Sequence, residues 1–292
     1  MKTIQKAYFQ LHIAIFLYGF TAILGKLITL SELSLVWWRM LLTTISFLFF
    51  PKILESFKAI PVKIRWQLFG VGVIIALHWV CFFGAIKYSN VSICLVCMAT
   101  GAFFTAIIEP LVFKEKIKKY ELFLGIMIIP GMYLVVQSTS WNMMTGIILA
   151  IIAAILAVFF TILNKRIVDQ IEDTSVITFI ELGSGWLFLT VLLPFYLYYF
   201  ETSIQPTWLD LGYLLVLALL CTTFAFILNL NALKHISAFN ANLAINLEPV
   251  YGIALAWFIF EENKEVGPFF YIGVLIVLLS VFSYPFLKKR FE

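Results

Sequence analysis

Charge is scarce in this 292-residue chain: Asp, Glu, Lys and Arg together make up 12% of it, about half the share of an average soluble domain. Three histidines and four cysteines are present, and none of them falls at the ligand spacing of a zinc site. Cys94 and Cys97 form a lone C-x-x-C within an apolar run and read as small packing residues. The aspartates Asp169, Asp173 and Asp210 all fall in loops or at the edges of apolar runs, so an intramembrane aspartyl protease has no dyad. H-E-x-x-H and G-x-x-x-x-G-K-[ST] are both absent, which removes a zinc protease and a nucleotide-driven pump. The first apolar run lacks an A-x-A-like cleavage site and reads as a retained span. Long polar stretches are missing too, which excludes disorder, a secreted disulfide scaffold and a soluble domain of any size.

What is there is apolar. The AVILMFWYC set fills 63% of the chain, with 30 Phe and 8 Trp, and the mean hydropathy is +1.02. One 33.4 kDa globule could not bury that much apolar surface away from water. The composition therefore predicts an all-α polytopic membrane protein. Apolar runs begin at Tyr8 and continue at about 33–51, 66–86, 90–113, 119–136, 144–163, 175–200, 208–232, 238–260 and 267–287, giving ten expected transmembrane helices of about 20 residues. With the N-terminus inside, the cytoplasmic face receives Lys2, Lys6, Lys52, Lys58, Lys63, Arg65, Lys114, Lys116, Lys118, Lys119, Lys165, Arg166, Lys234, Lys288, Lys289 and Arg290. The outer face receives only Lys87 and Lys264, while Lys26 and Arg39 fall near the outer ends of their spans. By the positive-inside rule, both termini are expected in the cytoplasm and the protein in the cell membrane. The +4 net charge is a topology signal, and no nucleic-acid partner is expected.

The runs divide into two halves of five, about 5–138 and 144–286. An odd number of spans per half turns the second half upside down, as in secondary transporters built from inverted repeats. At an offset of 147, Ala85-Ile86-Lys87 meets Ala232-Leu233-Lys234, and Phe113-Lys114-Glu115 meets Phe260-Glu261-Glu262. The pattern resembles the EamA group of the drug/metabolite transporter superfamily, whose repeat carries a proline in its fourth span and a glutamate about a dozen apolar residues later. The second half matches with Pro249-Val250-Tyr251-Gly252 running to Phe260-Glu261-Glu262; in the first half Ala102 stands at the proline position and Pro110 comes later. Trp38-Arg39-Met40 resembles the family's second-span arginine motif, and Tyr18-Gly19 with Gly25-Lys26 its first-span entry. The resemblance covers nearly the whole chain and implies a carrier of small metabolites, often amino acids, working by alternating access.

Ionisable groups within spans are costly and therefore informative. Glu248, near the middle of the ninth span, is the leading candidate for substrate binding and for proton coupling, with Glu181 of the seventh span as a second coupling site. Either glutamate could instead be a fixed hydrogen-bonding partner within the bundle, and Glu109 could be a structurally paired or snorkelling carboxylate. Pro249 removes a backbone donor and crowds the carbonyl of Ile245, so a helix break is expected there. Asn242 and Asn246, one turn apart, could hold a substrate's polar ends or join helices, and Tyr251 could line a cavity one turn beyond Glu248. Arg39 could attract an anionic group, or snorkel to the interface; Lys26 could do the same. His78 reads as a hydrogen-bonded core histidine or a proton relay, and Trp79, Phe82 and Phe83 as packing residues. The expected partners are a small-molecule substrate and the bilayer, with a homodimer left open, and no catalytic residue, metal or cofactor is expected. The expected activity is secondary active transport, with export of amino acids or related compounds as the leading case. A multidrug efflux carrier is the alternative, followed by a lipid-handling protein or an intramembrane enzyme.

Overall fold

The computed structural model describes residues 3–200, 202–245 and 247–291, and every regular element among them is helical. In lipid no water can satisfy backbone N–H and C=O groups, so each apolar run closes its own hydrogen bonds. The first half comprises α1 (Thr3–Leu27), α2 (Glu32–Phe47), α3 (Ile53–Ala59), α4 (Val62–Tyr88), α5 (Val91–Met98), α6 (Gly101–Phe113) and α7 (Lys119–Gln137). The second comprises α8 (Met144–Val168), α9 (Thr174–Phe200), α10 (Trp208–Ala218), a π-helical turn (Leu219–Phe224), α11 (Ala225–Leu233), α12 (Ala238–Ile245), α13 (Glu248–Phe260) and α14 (Pro268–Phe291).

Eight helical stretches among the described residues are long and apolar enough to cross a membrane, counting α5 with α6, α10 with α11 and α12 with α13 as one each. Ten were expected. The two outside that count are α2, with 16 residues, and α14, taken over its stretch Pro268–Ser280. The expected run at 33–51 stops at Phe47 because Pro51 cannot continue it and Lys52 turns left-handed with φ 60°. The chain then forms the short helix α3, which the hydropathy pattern did not predict.

Helices from the two halves pack on each other reciprocally. α4 lies against α8 and α9, while α11 lies against α1 and α10 against α2; α2 meets α9, and α7 meets α14. The α7–α14 contact is close because a glycine sits on each side: a Cβ on Gly131 would come within 2.9 Å of the Gly273 carbonyl, and one on Gly273 within 2.6 Å of the Gly131 carbonyl. Between α4 and α9, a Cβ on Gly72 would lie 2.1 Å from the Glu181 carbonyl. Such small-residue contacts let helices approach where lipid gives no hydrophobic driving force.

The two broken rods end alike. α6 stops at Lys114 with φ 57° and α13 at Glu261 with φ 55°, 147 residues apart as in the sequence match. Glu262 then folds back, 1% exposed, and caps α5: its carboxylate accepts from Val91 N (3.1 Å), Ser92 N (2.9 Å), Ser92 Oγ (2.6 Å) and Lys26 Nζ (2.8 Å). At the opposite end Glu109 caps α12, accepting from Ala238 N (3.0 Å) and Phe239 N (2.6 Å). A carboxylate at a helix N-terminus satisfies free N–H groups and the helix dipole together.

Candidate functional site

A cavity of about 90 Å³ lies where α1, α2, α4, α5, α6, α8, α11, α12 and α13 converge. Its position follows from two interruptions. α12 ends at Ile245 and α13 restarts at Glu248, which brings Glu248 and Pro249 to the cavity wall. Pro249 occupies the first turn of α13, where its missing N–H costs nothing. The π turn is the second. Thr222 Oγ1 donates to the carbonyl of Leu217 (2.7 Å) and Thr223 Oγ1 to that of Ala218 (3.0 Å), five residues back in each case. π turns recur at functional sites, and this one presents Thr222 Oγ1 to Arg39.

Arg39 is 1% exposed and lines the cavity instead of reaching the interface. Its Nε donates to Thr222 Oγ1 (2.8 Å), and its guanidinium carbon stands 3.7 Å from the centre of the Trp79 ring and 5.5 Å from that of Phe83. Stacking on an aromatic face stabilises a cation out of water. Arg39 Nη1 is buried with no hydrogen-bond partner. Glu248, 9% exposed, faces the same cavity and forms no ion pair with Arg39. Asn229 adds a buried Oδ1 that likewise lacks a partner. The cavity thus holds a free donor in Arg39 Nη1, a free acceptor in Asn229 Oδ1 and the carboxyl of Glu248, on three different helices.

The other expected site residues divide. His78 lines the cavity with Nδ1 2.8 Å from the Ala153 carbonyl. Asn242 lines it while donating to Thr105 Oγ1 at 2.9 Å, which ties α12 to α6. Asn246 lies outside the described residues. Tyr251 does not line the cavity: it is 36% exposed, and its ring packs edge-on against Phe16, centroids 5.5 Å apart. Glu181 is away from the cavity as well, 0% exposed, with Asn164 Nδ2 3.5 Å from its Oε2 and its Oε1 unpartnered. Wall residues such as Tyr18, Trp79 and Asn229 were not expected as site members, and neither was Thr222, which holds Arg39 in place. Trp79 reads as packing until Arg39 is seen to stack on it, and Thr222 is one hydroxyl in an apolar run. The doubled Asn229 and Asn231 were the available signal.

The model of the EamA-like transporter family matches the chain twice, over residues 5–137 and 144–284. The chain belongs to the EamA-like transporter family. Relatives are the uncharacterized transporter YetK of Bacillus subtilis, 26% identical over 73% of this chain, and an uncharacterized transporter of Clostridium kluyveri, 25% identical over 70%. The matches span 66% and 67% of those relatives' own lengths. A solved crystal structure superposes with a TM-score of 0.72 over 99% of both chains at 13% identity, a likeness of fold alone. Family membership and the apolar helices make this EamA-like chain a multi-pass membrane protein concerned with transport.

Proposed function

We propose that the protein is a secondary active carrier of small zwitterionic metabolites, with amino acids or related compounds as the leading class and export as the direction. One observation carries the reading: a buried cavity offers the free Nη1 of Arg39 and the carboxylate of Glu248 without pairing them to each other. A substrate carboxylate on Arg39 and a substrate ammonium against Glu248 and Asn229 Oδ1 would satisfy all three at once. Buried polar groups left without partners cost about 1–3 kcal/mol each, so the arrangement favours a ligand that supplies both charges over a bulky lipophile.

Architecture and coupling belong to the same proposal. α2 and α14 complete ten spans in two inverted repeats, 5–138 and 144–286, supported by the twofold family match and the reciprocal packing. Both termini face the cytoplasm, as the basic clusters favour, which puts Glu262 outside and Glu109 inside. Glu248 exchanges a proton for substrate at one site between the halves, and Glu181 is a second carboxyl able to hold a proton away from it.

Purified protein in proteoliposomes provides the test, with radiolabelled amino acids and an imposed pH difference. Accumulation should be pH-driven in the parent, and Glu248→Gln, at normal abundance, should lose uphill accumulation. Arg39→Gln should weaken uptake of zwitterions by about tenfold or more, as loss of a charged hydrogen-bond partner implies. Movement of hydrophobic cations alone would refute the zwitterion reading, and continued uphill transport by Glu248→Gln would refute coupling through that residue.

A further inference from the structure

A second hollow, away from the transport cavity, lies on the outside of the bundle between α2, α3, α4 and α9. It encloses about 550 Å³, within the range of ligand pockets, and its wall is almost wholly apolar: Leu54, Phe57, Trp66, Phe69, Phe179 and Leu187 face it. Along α9, Phe179 and Leu187 are eight residues apart, so the groove runs roughly 12 Å up the helix.

Its polar groups are one-sided. Arg65 Nε is buried with no hydrogen-bond partner, and its guanidinium stands 5.2 Å from the Phe57 ring centre. Trp186 Nε1 on the same wall is buried and unpartnered too. The two hydroxyls in the lining are already committed, Thr44 Oγ1 to the Met40 carbonyl and Ser184 Oγ to the Glu181 carbonyl. No carboxylate among the described residues lines the groove. The occupant must therefore bring acceptors, negative charge at the Arg65 end and an apolar tail. The α3–α4 corner reinforces the sign, since Lys52, Lys58, Lys63 and Arg65 stand there against the single acid Glu55. α4 also begins there at Val62 without a side-chain cap, and a helix start of that kind favours an anion.

We propose that this groove is a binding site for one anionic phospholipid, its phosphate on Arg65 and the start of α4, a glycerol ester oxygen on Trp186 Nε1, and an acyl chain along α9. The site is separate from the substrate cavity, and its occupancy braces α3 and α4 against α9. The lipid assignment uses the membrane placement of the chain and none of the substrate or coupling proposals.

The test is native mass spectrometry of the full-length protein, released from detergent micelles doped with phosphatidylglycerol or phosphatidylcholine of identical acyl chains. Phosphatidylglycerol should be retained roughly fivefold more, the ratio expected for one basic contact to an anionic headgroup. Arg65→Gln should erase that preference, and Lys116→Gln, an exposed position beyond the end of α6 and outside the groove lining, should leave it in place. Gly183→Leu grows a side chain into the groove from α9 and should reduce retention of both lipids, which keeps the proposal testable should Arg65→Gln not accumulate. Equal retention of the two lipids by the parent, a preference that survives Arg65→Gln, or full retention in Gly183→Leu would each overturn it.

Discussion

The two ends of the molecule carry the same device built from different parts. Where α13 finishes, Glu262 accepts four hydrogen bonds, one of them from Lys26, with 1% of its surface exposed. Where α6 finishes, Glu109 accepts two backbone N–H groups from the start of α12, and no Lys or Arg lies within ion-pair distance of it among the described residues. Both carboxylates hold the N-terminus of one broken rod against the C-terminal end of the other. The sequence counterpart of Glu262 at the 147-residue offset is Glu115, yet Glu115 is exposed, and Glu109, from within the helix, does the capping. Equal backbone turns, φ 57° and 55°, therefore do not guarantee equal side-chain roles. Glu262 also makes more contacts at its end, four hydrogen bonds against two at Glu109.

Removing Glu262 should break the comparison most severely. Glu262→Ala removes all four hydrogen bonds at the start of α5 and leaves Lys26 without its partner, about 1.5–3 kcal/mol for each bond between a charged and a buried group. A single cysteine at Thr21, in the cavity wall, should then react with an impermeant reagent from the Glu262 side at least tenfold faster. Unchanged labelling would show that this contact does not close that end.

Glu109→Ala should act in the same sense at the opposite end, but less. Two hydrogen bonds to an ionised group are lost, each worth about 1.5–3 kcal/mol, with the released N–H groups partly recovered by water. Labelling of the same cysteine should rise from the Glu109 side only, by a factor smaller than the Glu262 change produces from its own side. Equal factors would mean that the two clamps are equivalent after all.

Lys26→Met sharpens the comparison by removing only the ion pair while leaving three donors on Glu262. The lysine side chain is 29% exposed, so screening limits the loss to about 1 kcal/mol, read as a few-fold change in labelling. Glu115→Gln serves as the control and should change nothing, because its carboxylate faces solvent.

Much of the architecture was legible before any coordinates. Hydropathy located the long helices because a segment in lipid must satisfy its own backbone. The site was legible in part. Arg39, His78, Asn242 and Glu248 stood out as polar residues in apolar runs and do meet in one cavity. Tyr251 and Glu181 stood out equally and do not, because helical facing turns one toward Phe16 and the other toward Asn164. The short α3 escaped notice because seven residues carry too little periodicity to register. The π turn escaped because an extra residue in a helix leaves no mark on composition.

By itself, then, the sequence determined the helical class, the long apolar runs and the residue types available for polar chemistry. All of these depend on local composition. Only the tertiary structure decided which of two equivalent glutamates caps a helix, that Arg39 is sequestered on Trp79 instead of snorkelling, and that a donor-lined groove opens beside α9. Each of those outcomes depends on the rotation of one helix about its axis relative to its neighbours. Close packing of small residues such as Gly72, Gly131 and Gly273 fixes that rotation, and a linear pattern of hydropathy does not encode it.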